Sequence, residues 1–338
     1  MIPPYTDSDV QPVLLRLLDD PSVAPLLAQF YPDMEALRRT IAGLATIADF
    51  QRQLMLPRVD AIIVDSMTDY TCSLSVRLDP SQRYLFVANH RDIILDAMLL
   101  VKSLVEAGHE SPRVIFGSNL LTIPLMGEVG RLNKLVSMER GGTPRDFYQS
   151  LADTSRYIRQ SITVDRQSVW IAQRNGRTKD GIDRTDTAVV KMLAMSAPEG
   201  ATLTEALAAL HIVPVAISYE WEPCDLLKVR ELCAPQPYVK APDDDLRSVV
   251  TGITQPKGHV HLAVDDPLTA DELAACGDDP HRVSELLDRR IHAAYRLHAT
   301  NRDAALLQNR LVHLATDQEK QQLIDLYLAP CHVLTPGI

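Results

Sequence analysis

A histidine with carboxylates close by stands out in the string NHRDIILD, residues 89–96. His90 follows a short apolar run, and an imidazole in such a place can accept a proton near neutral pH. A nearby carboxylate can fix the tautomer of the imidazole and stabilise its charged form. Asp96 lies six positions after His90, and Asp92 lies two positions after it. The string therefore predicts a general base with Asp96 or Asp92 as its partner, unless His90 and Asp92 only cap a helix.

A second group of polar residues, QRNGRTKDG, spans residues 173–181 and follows another apolar run. Arg177 and Lys179 carry the N–H donors and positive charges that bind phosphate, and Gly176 lets a ligand approach the backbone closely. A solvated loop fits the same residues. Both interpretations stay open from this stretch alone.

The charges are unevenly spread along the chain. The 338 residues carry a net charge of −10, yet residues 131–191 hold 12 Lys and Arg against 7 Asp and Glu. A basic stretch within an acidic chain favours an anionic ligand, with phosphate as the first candidate and a solvated helix face as the alternative. The overall negative charge argues against nucleic acid as a partner.

The elements that would position these groups follow from the spacing of apolar residues. Helices are predicted at 93–105, 146–162, 186–197, 280–299 and 303–314, and buried strands at 84–88, 114–116, 135–138, 169–172, 212–217 and 260–264. Strands that alternate with helices predict an α/β fold with a central mixed β-sheet flanked by helices. Pro214 places its strand at a sheet edge or puts the proline at a strand start.

In such sheets, polar residues just after a strand's carboxyl end line the ligand crevice. Three segments hold that position: residues 89–91, Glu139 with Arg140, and residues 173–179. The sequence thus predicts that His, Arg and Lys side chains from separate segments meet at one edge of one sheet.

The first part of the chain has a different pattern. Apolar residues repeat at helical spacing between residues 37 and 50, which predicts an amphipathic helix that ends near Pro57. We therefore predict an N-terminal helical element over residues 1–60 and an α/β domain over residues 61–338 that includes the C-terminal helices.

Several other classes of site are not indicated. The five cysteines are odd in number and widely spaced, which argues against a disulfide framework or a zinc site and fits a reducing compartment. His259 and His261 share one strand face without an evident third ligand, so no metal is predicted. There is no signal-peptide pattern and no apolar run of the ~20 residues that span a membrane, so any membrane contact is expected at the surface.

Taken in order, these residues resemble four motif blocks of the glycerolipid acyltransferases, the PlsC-like family. NHR with a downstream Asp resembles the first block, and residues 131–140, which end in Arg140, resemble the second. Gly176-Arg177-Thr178-Lys179 resembles the third block, and Val213-Pro214-Val215 resembles the fourth. The resemblance covers roughly residues 80–300.

The resemblance implies a fold like that of glycerol-3-phosphate acyltransferases and a direct transfer from an acyl thioester to a hydroxyl, in phospholipid synthesis. It implies His90 and Asp96 as the catalytic pair. It implies that phosphate is bound by Arg91, Arg140, Gly176, Arg177, Thr178 and Lys179, and that the acyl site is lined by Val213, Pro214 and Val215. No cofactor is implied, because acyl-CoA or an acyl carrier protein serves as the donor substrate.

The expected acceptor is 1-acylglycerol-3-phosphate, in a cytoplasmic enzyme that is peripheral on the inner face of the membrane. The alternatives are glycerol-3-phosphate, an amino-acid lipid, or a non-catalytic lipid or acyl-carrier binding protein. The sequence departs from the family at two places. Five residues separate His90 from Asp96 where the family has four, and Arg174 and Asn175 stand where the third block has a Glu.

Overall fold

The computed structural model describes residues 1–117, 124–138 and 142–334. The strands are β1 Met67–Leu74, β2 Leu85–Ala88, β3 Arg113–Gly117, β4 Leu135–Met138, β5 Val169–Ala172, β6 Ile212–Tyr219 and β7 Gly258–Val264. The helices are α1 Val10–Asp19, α2 Ala24–Phe30, α3 Met34–Ala42, α4 Ile47–Phe50, α5 Leu56–Ser66, α6 Leu95–Glu106, α7 Pro124–Leu132, α8 Pro144–Thr163, α9 Thr187–Ala194, α10 Leu203–Ala208, α11 Asp225–Cys233, α12 Asp244–Thr254, α13 Ala270–Cys276, α14 Pro280–Ala294, α15 Gln308–Leu311 and α16 Asp317–Leu334.

The strands form one mixed sheet in the order β1-β7-β6-β2-β5-β3-β4. Neighbouring strands run parallel except β6 and β7, which are antiparallel. All six predicted strands are present, and the predicted α/β fold with a central mixed sheet is confirmed. The sequence missed β1 because its residues, MTDYTCSL, are largely polar and mostly not buried at the edge of the sheet.

β2 lies at the middle of the sheet and is buried on both faces, as expected for a parallel strand with a continuous apolar run. Phe86 and Ala88 pack on the face that α6 covers. Leu85 and Val87 point to the other face, which α8 and α9 cover. Since β2, β3, β4, β5 and β6 run in the same direction, their carboxyl ends meet at one edge of the sheet.

Pro214 lies in an interior strand, which corrects the prediction of an edge strand. β6 pairs with β2 on one side and with β7 on the other. The ladder between β6 and β7 begins only at Val215 and Val264, and the carbonyl of Pro214 accepts a hydrogen bond from the Asp265 amide. Proline has no N–H to donate. Pro214 is tolerated because it precedes the part of β6 that pairs with β7.

The N-terminal helices have a hydrophobic core of their own, which also takes in Leu132 of α7. The prediction that the helical region ends near Pro57 is wrong, because α5 contains this proline and continues to Ser66. A π-helical turn, Gln51–Met55, leads into α5, and the proline sits in the first turn of that helix, where its missing N–H costs least. A boundary at residue 60 would fall inside α5, whose Val59 packs on the sheet core.

The C-terminal region was predicted less well. The helix predicted at 303–314 is a 3₁₀ turn, Ala304–Leu307, followed by the single turn of α15. The sequence missed α16, which contains Pro330 and packs on α11. None of the helices in the described ranges is long and apolar enough to cross a membrane.

Candidate active site

His90 and Asp96 are in direct contact after the carboxyl end of β2. The Nδ1 atom of His90 lies 2.8 Å from Oδ2 of Asp96, and the two side chains are 11% and 2% exposed. The same oxygen accepts the backbone N–H groups of Arg91 at 2.6 Å and Asp92 at 2.9 Å. The extra residue between His90 and Asp96 is taken up by this turn, because α6 begins only at Leu95.

The other oxygen of the same carboxylate is also bound. Tyr219, the last residue of β6, donates its hydroxyl to Oδ1 of Asp96 at 2.8 Å. Tyr219 is 123 positions away from Asp96 in the chain, and no motif singled it out. Only the pairing of β6 with β2 brings it to the site.

Two aromatic rings hold the imidazole of His90. Trp170 of β5 and Phe116 of β3 meet it edge-on, with ring centroids 5.6 Å and 6.3 Å away. Since Nδ1 faces a carboxylate, which only accepts, the neutral imidazole carries its proton on Nδ1. Nε2 has no hydrogen bond to a described residue and is the nitrogen that can accept a proton.

Asp92 does not partner His90. Its Oδ1 accepts the N–H groups of Ile94 and Leu95, each at 2.8 Å, and so caps the start of α6. Its Oδ2 is buried without a hydrogen-bond partner and lies against Gly252 of α12. Burial and the nearby charge of Asp96 raise the pKa of Asp92. The structure therefore places Asp96, and not Asp92, against the imidazole.

Arg91 is buried away from the ligand pocket, which corrects its prediction as a phosphate-binding residue. Its guanidinium is 2% exposed and donates to Asp183 at 2.6 Å and to Glu222 at 2.8 Å. The ring of Tyr295 stacks 5.0 Å away. Burial alone would lower the pKa of Arg91, but the two carboxylates raise it well above its usual value. All three nitrogens of the guanidinium donate to described residues, so the group is held in the protein interior.

Lys228 completes this buried network and was not found from the sequence. Its ammonium donates to the Arg91 carbonyl at 2.7 Å and to Glu222 at 2.5 Å. Two cations thus face two carboxylates, counting Asp183, and the group is electrically balanced. The network fixes the backbone that follows β2, from which His90 projects.

Thr178 also has a structural position and does not line the pocket. It is fully buried. Its hydroxyl donates to Oδ1 of Asp183 at 2.7 Å, and its backbone N–H donates to the His90 carbonyl at 2.7 Å. These contacts do not fit the predicted role of Thr178 in phosphate binding. Thr178 faces the interior, and its neighbours Arg177 and Lys179 face the pocket.

A cavity of about 360 Å³ opens beside His90 at the carboxyl edge of the sheet. The loop after β5 contributes Gly176, Arg177 and Lys179, as predicted, and Gly176 has a φ of +80° that favours glycine. Apolar groups line the side near His90, where Ile93 and Phe116 lie. The cavity is therefore apolar beside the base, and the rest of its lining holds both cations and carboxylates.

The cations of the cavity differ in how they are paired. Lys179 forms an ion pair with Glu231 of α11. Lys240 forms one with Asp245 at 2.6 Å. Arg177 donates to the Ser248 hydroxyl at 3.3 Å and lies against the Cys224 thiol, and among the described residues its Nη1 is buried without a hydrogen-bond partner. Arg177 therefore offers an unused donor to an anion.

The predicted acyl-site residues lie elsewhere. Val213 and Val215 are 0% and 1% exposed and belong to the sheet core, and Pro214 is buried in the same strand. None of the three lines the cavity, because β6 is covered on both faces. Arg140, predicted to bind phosphate, lies outside the described residues.

No group of three or more His, Cys, Asp or Glu side chains is placed to hold a metal ion in the described parts of the chain. His259 and His261 do not form a pair of ligands. His261 shares a hydrogen bond of 2.7 Å with the Thr71 hydroxyl of the edge strand β1.

Comparisons with known proteins agree with the motif resemblance. The sequence profile described as Acyltransferase matches residues 70–218, which run from β1 into β6. A search of curated proteins finds no match. Among solved structures, 1-acyl-sn-glycerophosphate (LPA) acyltransferase PlsC from Thermotoga maritima is similar at 15% identity and a TM-score of 0.43, covering 72% of this chain and 80% of that chain. A likeness this distant carries no argument about activity. The profile match covers less than half of the chain and shows that residues 70–218 are similar to the acyltransferase family.

Proposed function

We propose that the protein transfers a fatty acyl group from an acyl thioester to the hydroxyl of a phosphate-bearing glycerol acceptor, most simply 1-acylglycerol-3-phosphate. One observation carries this proposal. The His90–Asp96 pair opens into a cavity that Arg177 also lines, and Nη1 of Arg177 has no hydrogen-bond partner among the described residues. A base and an anion site that share one cavity suit an acceptor with a hydroxyl and a phosphate.

The chemistry requires only one proton carrier. Nε2 of His90 takes the proton from the acceptor hydroxyl as its oxygen attacks the thioester carbonyl carbon. Asp96 stabilises the imidazolium that forms. When the tetrahedral intermediate collapses, the C–S bond breaks and the imidazolium returns its proton to the leaving thiolate. The products are an ester and a free thiol, and the base is regenerated without an acyl-enzyme.

The binding of the acceptor is assigned to the cations that line the cavity. Arg177 would donate to the phosphate through Nη1, which has no hydrogen-bond partner in the described ranges of the chain. Lys179 would contribute if the phosphate competes with Glu231, its partner in the free protein. The apolar surface near Ile93 and Phe116 lies beside the base, where the acyl carbonyl must be during the reaction.

A second acceptor class is favoured by the carboxylates of the cavity. Asp180, Glu231 and Asp245 also line it, and Arg174 and Asn175 replace the acid that the third motif block usually carries. An acceptor with an amino group, such as an amino-acid lipid, would find anionic partners there.

The acceptor can be identified by thiol release from acyl-CoA, measured with 1-acylglycerol-3-phosphate, glycerol-3-phosphate and an amino-acid lipid in parallel. We expect release that depends on one of the phosphate acceptors. The same panel with acyl carrier protein as the donor carrier distinguishes the two donors. Release with the amino-acid lipid alone would overturn the phosphate-glycerol assignment. No release with any pair would favour a binding-only role, in which His90→Ala leaves ligand affinity unchanged.

We also propose that the protein works at a membrane surface, since its expected product is a membrane lipid. Sedimentation with anionic and with neutral vesicles tests this. Co-sedimentation is the expected result, and no binding to either vesicle would contradict the proposal.

A further inference from the structure

The carboxylate of Asp96 is held by four donors that come from two parts of the fold. Oδ2 receives His90 and two backbone N–H groups, all from the turn after β2. Oδ1 receives only the hydroxyl of Tyr219 among the described residues. Tyr219 is therefore the one donor to this carboxylate that another strand supplies.

The environment of Tyr219 makes it a permanent donor. Its side chain is 1% exposed and packs in the core below the site. Burial and then the charge of Asp96 raise its pKa well above the usual value for tyrosine. The raised pKa favours the protonated phenol, which is the form that donates the hydrogen bond to Asp96.

A hydrogen bond to a carboxylate draws charge away from the oxygen that faces the histidine. Such bonds to ionised groups are stronger than those between neutral groups. Because Oδ2 also keeps two backbone N–H groups, the loss of the Tyr219 hydroxyl would leave the carboxylate in place but concentrate its charge. The imidazolium of His90 would then be held more tightly.

We propose that Tyr219 is a positioning residue for acyl transfer, which acts on His90 through Oδ1 of Asp96. It limits the negative charge on the carboxylate that His90 faces. This role rests on the proposed function, in which His90 takes the proton of the acceptor. Tyr219 lies one position beyond the segment that the acyltransferase profile matches, and it contacts no reacting atom.

Other charged groups face this pair and must be held constant. Asp92 lies on the same turn, and Glu222 follows β6; both act on Tyr219. Arg177 from the loop after β5 and Lys257 before β7 act on Asp92. A change confined to the Tyr219 hydroxyl leaves all four in place.

The test is Tyr219→Phe, which removes the hydroxyl and keeps the ring in the core. We expect the acidic limb of the pH profile of kcat/KM to move to higher pH by roughly 0.5–1 unit, while KM for the acceptor stays unchanged. A purely structural role would lower the melting temperature without moving this limb. A profile that superimposes on that of the wild type would overturn the proposal.

Tyr295→Phe is the matched control. Tyr295 is also a buried tyrosine beside the site, but its hydroxyl has no hydrogen-bond partner. Its removal should leave the pH profile unchanged.

A second readout does not depend on turnover. The Nδ1–H proton of His90, which faces Asp96, should resonate further downfield in Tyr219→Phe than in the wild type, because its acceptor carries more charge. If the wild type shows no acyl transfer but this resonance shifts, the acyltransferase assignment fails and the coupling through Asp96 stands. An unshifted resonance contradicts the coupling itself.

Discussion

Two groups of charged residues follow the carboxyl ends of strands in the same sheet and differ in which hydrogen-bond donors they leave unpaired. In the buried network, Arg91 and Lys228 face Asp183 and Glu222, and no cation is free. In the cavity, Arg177 has a buried Nη1 without a partner in the part of the chain that the structure describes. The first group is complete without a ligand, and the second is not.

This difference indicates that the buried network supports the structure of the site and that the cavity binds the ligand. A buried cation with two carboxylates gains nothing from a substrate anion, but it fixes the turn that carries His90. A cation with a buried unpaired donor is incompletely satisfied when alone and gains a hydrogen bond when an anion arrives. Substitutions in the network should therefore reduce stability, and substitutions in the cavity should reduce activity.

The largest expected effect is on the reaction rate, and it follows from changing Asp96, the hydrogen-bond partner of His90. Asp96→Asn should lower kcat by roughly 10³–10⁴-fold, because an amide can bind the wrong tautomer of the imidazole. Thiol release under acceptor saturation measures it, with circular dichroism to verify folding. A variant that is folded and retains more than a tenth of the wild-type rate would contradict the pairing.

The network should respond in stability. Arg91→Met leaves Asp183 buried without a cation and leaves Glu222 with Lys228 alone, which should cost about 3–5 kcal/mol in the free energy of unfolding. Urea denaturation at pH 7 measures this loss. A change below about 1 kcal/mol would show that the network is not the support described here.

The same variant should change the response to acid. Burial would raise the pKa of Asp183, but Arg91 and three hydrogen-bond donors outweigh it, and the net pKa is lowered. A carboxyl with a lowered pKa stabilises the fold above its unfolded-state pKa of about 3.9 and loses that contribution as the pH falls below it. In Arg91→Met this acid-dependent loss should be smaller than in the wild type.

A smaller effect is expected for the cation with the unused donor. Arg177→Gln should raise KM for a phosphate-bearing acceptor by about 10–100-fold, as for the loss of a charged hydrogen bond, with little change in stability. Arg247→Gln is the control, because Arg247 is exposed and pairs with Asp243 outside the cavity. Equal KM values for the two variants would show that Arg177 does not bind the phosphate of the acceptor.

The smallest effect should come from the second carboxylate of the turn. In Asp92→Asn the side-chain oxygen can still cap α6, so activity should stay within a few-fold of the wild type. Because the folded-state pKa of Asp92 is raised, its ionisation costs stability as the pH rises above about 3.9. The variant should therefore be at least as stable as the wild type at pH 7. A large loss of turnover would indicate that Asp92, and not only Asp96, acts as a partner of His90.

The sequence predicted the parts of the site that are local. His90 and Asp96 are six positions apart, and the polar loop after β5 shares the sheet edge because parallel strands end there. Runs of apolar residues predicted every strand except β1, which has a largely polar sequence because it lies at the edge of the sheet.

The remainder depends on contacts between distant residues. Nothing in the sequence distinguishes Arg91 from Arg177, since both follow a strand end. Arg91 differs because the fold places Asp183 and Glu222 against its guanidinium. Tyr219 and Lys228 reach the site across more than 120 residues. Val213 to Val215 matched a motif, but their burial depends on strand order, which the sequence did not predict.

The central claim is that His90 is the base for acyl transfer, and His90→Ala tests it most directly. The measurement is acceptor-dependent thiol release from acyl-CoA, with melting temperature as the measure of folding. We predict a fall in kcat of roughly 10²–10⁴-fold, with a melting temperature close to that of the wild type. A folded variant that releases thiol at the wild-type rate would contradict the assignment of His90.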